Sequence, residues 1–127
     1  MSTRSKGYRR ENQVVNILKD AGWRAERSLD PKYSAGDWFG IFDVMALRKG
    51  DRPVYIQVKS NRTAGALKQI SEAEFVDPDF IDPQVWVAHD RQGFRVQRLS
   101  DSGWQVVVDE RDSDSNFGET AVELFSR

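Results

Sequence analysis

The sequence predicts an α/β domain with a mixed central β-sheet flanked by two helices, and three patterns lead to it. Apolar residues at helical spacing open the chain at Val14, Val15, Leu18 and Ala21. Two alternating stretches on either side of Lys49-Gly50-Asp51 form a hairpin. A second apolar stripe at helical spacing is followed by short strands separated by turn formers.

Taken in order, the first helix is predicted from Ser5 to about Ala21, stopped by Gly22. "WRAERS", residues 23 to 28, alternates as a short strand, and "LDPKYSAGD" is rich in turn formers and reads as a surface loop. A strand is predicted from about Phe39 to Arg48, and "RPVYIQVKS" forms its hairpin partner. The second helix is predicted from Thr63 to about Phe75, carried by Ala66, Leu67, Ile70 and Ala73 and broken by Pro78 and Pro83. "VWVAHD", "GFRVQRL" and "WQVVVDE" supply three more strands, and Glu119 to Phe125 one or two helical turns. The 127 residues suit one domain, with a core over about residues 5–108 and an acidic tail over 109–127.

No apolar run approaches the ~20 residues that cross a bilayer, so no membrane role is expected. Zero cysteines exclude disulfides, thiolate metal sites and thiol nucleophiles. With a polar N-terminus, the expectation is a soluble, intracellular or cytoplasmic protein. The net charge of −1 conceals an asymmetry: residues 1–71 hold 14 Lys or Arg against 7 Asp or Glu, and residues 72–127 hold 5 against 13. Basic residues gather in "TRSKGYRR" and at Arg48, Lys49, Arg52, Lys59, Arg62 and Lys68, a footprint that suits a phosphate backbone and equally two solvated faces of opposite sign.

Strand periodicity places Val54, Ile56 and Val58 on one face and Tyr55, Gln57 and Lys59 on the other. Asp43 sits among Ile41, Phe42, Val44, Met45, Ala46 and Leu47, where an ionised carboxylate is costly unless a metal ion or an ammonium compensates it. If the two strands pair, Asp43, Gln57 and Lys59 converge near one end of the sheet, and Glu11 on the first helix adds a carboxylate from above. Two carboxylates and an amide oxygen suit a hard cation such as Mg²⁺, and a neighbouring lysine can hold water or neutralise phosphate charge. Each residue also has an ordinary reading: Glu11 as a solvated helix residue, Asp43 as a strand-end acid bonded to a backbone amide, Gln57 and Lys59 as the wet face of an edge strand.

In Glu11, Asp43 and Gln57-Val58-Lys59, and in the order of their elements, the chain resembles the PD-(D/E)XK nuclease superfamily, within it the Holliday junction resolvase-like and VRR-type nucleases, over about Lys6 to Ile70. The resemblance implies a restriction-endonuclease-like core of order αβββαβ with extra C-terminal strands. It also implies hydrolysis of DNA phosphodiesters, with Glu11, Asp43 and Gln57 at Mg²⁺ (Mn²⁺ substituting) and Lys59 as general base or charge stabiliser. Branched DNA as substrate and a homodimer follow from the same likeness. Two departures stand out: Gln57 replaces the usual acid and removes a negative charge, and Phe42 stands where a proline often precedes the first acid.

Around this set, Lys6, Arg9, Arg10 and Arg62 are candidate phosphate contacts, as is Ser34 in the loop. Asp37 is read as a turn residue, or alternatively as an outer ligand that positions a metal-held water. His89, the single histidine, reads as structural, and the four tryptophans as core or rim, with Trp38 nearest the site. Two other readings stay open: a non-catalytic nucleic-acid or protein-binding module on a decayed scaffold, and a restriction-type duplex endonuclease.

Overall fold

The computed structural model describes residues 3–28, 39, 41–63, 65–112 and 118–127, without the side chains of 3–8 and 112. The elements are α1 (Thr3–Asp20), β1 (Arg24–Arg27), β2 (Val44–Leu47), β3 (Val54–Ser60), α2 (Ala66–Glu72), β4 (Asp82–His89), β5 (Gly93–Ser100), β6 (Gly103–Asp109), a 3₁₀ turn (Glu110–Asp112) and α3 (Glu119–Phe125). All six strands form one sheet in sequence order. Only β3 and β4 pair in parallel, because α2 and its flanks carry the chain back across the sheet between them. The other neighbouring pairs are antiparallel. The expected mixed sheet is present, and the helical turns expected over Glu119 to Phe125 form a third helix beside the two flanking ones.

Alternation sorts the side chains into two cores. Val44, Ala46, Val54, Ile56, Trp86, Ala88, Phe94 and Val96 face α1 and α3, where Val14, Leu18, Ala121 and Phe125 cover them. Ile41, Phe42, Val85 and Val87 lie on the opposite face under Ala66 and Ile70 of α2. Strand β4 is covered on both faces, so Asp82 to Ala88 are all buried. Pro83 is tolerated at its start because β4 pairs with β5 only from Gln84 onward, so the missing N–H faces no ladder.

Helix α1 ends where Gly22 takes φ +93, with Gly22 N–H donating to Lys19 O and Trp23 N–H to Leu18 O, a closure that favours glycine at this position. Helix α2 is shorter than the pattern suggested. It starts after Gly65, at φ +86, and ends at Ala73, which is extended. Seven helical residues advance only about 10 Å. The chain must return the length of β3 to reach Asp82, beside Val54, so residues 73–81 leave the helix for a longer path per residue.

Helix α3 is held at both ends. Glu110 is buried, and its carboxylate accepts from Phe94 N–H (2.7 Å) and Gly118 N–H (3.0 Å) through Oε1, and from Thr120 (3.0 Å) and Ala121 (3.2 Å) through Oε2. At the other end Trp23 Nε1 and Arg48 Nη1 donate to Phe125 O, and Arg48 Nη2 to Arg127 O. Trp86 packs between Phe94 and Phe125, with ring centroids 5.5 and 5.4 Å away.

Candidate functional site

Strand β2 runs antiparallel to β3 and β4 parallel to it. The residue before β2, the last residues of β3 and the turn after β4 therefore share one end of the sheet. Asp43 lies there, one position beyond the last paired residue of β2 and not in the middle of a strand. The expected strand from Phe39 is thus too long. Phe42 packs in the α2 core while Val44 packs in the α1 core, so alternation breaks at Asp43 and the chain bends.

That break has a chemical use. Asp43 N–H donates to Ile56 O at 2.8 Å, and β3 then runs past the start of β2. The next inward N–H of β3, that of Val58, donates to Asp43 Oδ2 at 2.8 Å. A carboxylate thus takes the place of a missing ladder carbonyl, which is the ordinary strand-end reading. It also fixes the rotation of the carboxylate beside Gln57 and Lys59.

Val58 packs towards α1, whereas Gln57 meets α2, so Gln57 and Lys59 share the face that periodicity assigned. Gln57 is buried; its Nε2 donates to Gln69 Oε1 at 3.2 Å, while its Oε1 is enclosed without a partner among the described residues. Lys59 is half-buried and makes no ion pair among the described residues. An enclosed amide oxygen with an unused acceptor and a carboxylate are donors that suit a hard oxygen-seeking cation, and the ammonium beside them suits a phosphate or water oxygen instead. Among the described residues no three His, Cys, Asp or Glu side chains gather.

Glu11 is half-buried on α1, whose apolar side covers the other face of the sheet. Its neighbour Arg10 shows which end of the sheet this part of α1 overlies: Arg10 Nη2 donates to Asp90 Oδ1 at 2.6 Å, in the turn after β4. The structure brings Asp43, Gln57 and Lys59 together by strand pairing and sets Glu11 at the same end on the opposite layer. Asp37 and Ser34 lie outside the described residues, as does the Lys6 side chain.

No family model and no curated protein matches the chain. Among solved structures it is similar to a Holliday junction resolvase, Hjc, from the archaeal hyperthermophile Archaeoglobus fulgidus, with a TM-score of 0.52, 23% identity, and 71% of this chain and 74% of that chain covered. The chain has a Holliday junction resolvase-like fold. The restriction-endonuclease-like core expected from the sequence is therefore present.

The resolvase-like fold redistributes the basic residues that the sequence grouped together. Arg10 is 7% exposed and bound to Asp90 and Gln13, so it ties α1 to the turn after β4. Arg48 caps α3, and Arg52 donates to Pro78 O and Ile81 O, both from the hairpin end remote from Lys59. Arg9 and Arg62 remain exposed. Two residues that the sequence did not mark complete the site's end. Asn61, at φ +65, donates from Nδ2 to Asp90 Oδ2 (3.3 Å) and accepts from Asp90 N–H (3.2 Å), and so couples the ends of β3 and β4.

His89, at the same end, is partly buried; burial first, then the nearby Arg111 and Arg95 cations, lower its pKa against the opposing pull of Asp109 and Asp90. Folding thus disfavours the imidazolium. Its contribution to stability is complete above the unfolded value of about 6.5 and is lost as pH falls through the lower folded value. The expected result is a melting temperature that drops between pH 7.5 and pH 5 by more in wild type than in His89→Gln, read by circular dichroism.

Proposed function

We propose that the chain is a metal-dependent endonuclease that hydrolyses phosphodiester bonds of DNA, with branched DNA as its preferred substrate. The observation that carries this reading is the enclosed Oε1 of Gln57, without a partner among the described residues, beside the anchored carboxylate of Asp43 and the ammonium-bearing Lys59. The resolvase-like fold supports the choice of DNA. Asp43 and Gln57 would hold Mg²⁺, or Mn²⁺ in its place, with Glu11 reaching the same end of the sheet from the α1 side, and a bound ion would supply Lewis acidity towards phosphate oxygens and an acidified water.

The chain's own residues do the rest. The Val58 N–H holds the Asp43 carboxylate in one rotation before substrate arrives, which removes reorganisation from the reacting step. Lys59 orients the attacking water and neutralises the negative charge that grows on the phosphoryl oxygens. Arg9 and Arg62, both exposed, contact backbone phosphates without reading sequence. A homodimer would present two such sites to paired strands of a junction.

The test is cleavage of labelled four-way junction, flap, linear duplex and single-stranded DNA in Mg²⁺, Mn²⁺ or EDTA. Symmetrical, metal-dependent cuts in the junction are expected. Discrete fragments from linear duplex alone would favour a restriction-type enzyme. Metal-independent binding with no cutting of any form would favour the decayed scaffold, for which the neutral Gln57 is the specific argument.

A further inference from the structure

A buried glutamine has two ends of similar size and opposite character: Oε1 accepts hydrogen bonds and can ligate a cation, whereas the Nε2 group only donates and repels one. A glutamate in the same place presents oxygen either way. With Gln57 at the carboxyl end of β3, something else has to decide which end faces Asp43 and Lys59.

Helix α2 supplies it. Ala66 and Ile70 are buried under the sheet, which fixes the backbone that carries Gln69. The Gln69 side chain is exposed to solvent over part of its surface, yet its Oε1 accepts from Gln57 Nε2 at 3.2 Å. The donor end of Gln57 is thereby held towards α2, and Oε1 is the end left enclosed without a partner among the described residues. From this pairing we infer that Gln69 is a positioning residue: it locks the Gln57 amide with its oxygen towards the cation. The inference rests on the metal site of the proposed function and adds to it a residue that acts only through Gln57.

The experiment is a double-mutant cycle on Mn²⁺ binding without DNA or turnover, read from free Mn²⁺ by electron paramagnetic resonance. Gln69→Leu in the wild-type background is expected to weaken Mn²⁺ binding about tenfold, in the range of partners that orient metal ligands. In the Gln57→Glu background the same change is expected to cost less than about twofold, because a carboxylate needs no orienting. Gln69→Glu, an acceptor for Nε2, restores binding to at least the wild-type level. Equal losses in both backgrounds, or no loss in either, would overturn the positioning role while leaving the metal site standing. If both wild type and Gln57→Glu leave Mn²⁺ free, the metal site itself is overturned and the positioning role with it. Melting curves of each variant confirm folding, which an exposed helix position tolerates.

Discussion

Lys59→Ala is expected to lower single-turnover DNA cleavage in Mg²⁺ about 10³-fold, within the span of a positioned acid–base or charge-stabilising group. Lys59 makes no ion pair among the described residues, so its removal leaves no buried charge behind and the melting temperature should stay near wild type. Asp43 behaves differently, because its carboxylate also receives the Val58 N–H. Asp43→Ala should lose activity and, by stranding that N–H, cost about 1–3 kcal/mol of stability. Asp43→Asn keeps an oxygen for Val58 and separates the two effects: stability near wild type with cleavage still strongly reduced. Wild-type cleavage by Lys59→Ala would remove that residue from the reaction.

The largest effect on stability is expected at a carboxylate that takes no part in the reaction. Glu110→Leu deprives four backbone N–H groups of their acceptor at once, at the start of α3 and at Phe94. Leaving buried donors unpaired and a helix start uncapped should cost on the order of 3–5 kcal/mol. The melting temperature should fall by roughly 10 °C or more. Gly93→Ala strikes the same knot from the other side: at φ +110, an added Cβ would lie 2.6 Å from Glu110 Cβ and 2.7 Å from its Oε1. Thermal melts and amide exchange across residues 119–125 measure both. A Glu110→Leu protein that melts within about 2 °C of wild type would show that α3 does not depend on this carboxylate.

Much of this architecture was legible because it depends on local pattern. The alternation of "VYIQVKS" assigned both faces of β3 correctly, and Glu119–Phe125 is the helix that its spacing suggested. Failures began where a residue's role is set by something distant in sequence. An unbroken apolar run hid the bend at Asp43, since Phe42 and Val44 belong to different cores and both are apolar. Arg10 and Arg48 read as free cations because Asp90 and the carbonyls of Phe125 and Arg127 lie about 80 residues away. Glu110 looked like part of an acidic tail, and nothing local announced that it caps α3. Gln69 carries no signal of its own in the sequence; only the crossover from β3 to β4 sets it against Gln57.

The most direct measurement is an amide NMR spectrum of the 127-residue chain during a substoichiometric Mn²⁺ titration, in which the ion broadens resonances nearest to it. Selective early loss of Val58 and Lys59, the Gln57 side-chain amide and the residues flanking Asp43 is expected, with the spectrum restored by EDTA. Uniform broadening, or loss confined to the acidic residues of the second half with the carboxyl end of β3 untouched, would contradict a cation site at this end of the sheet.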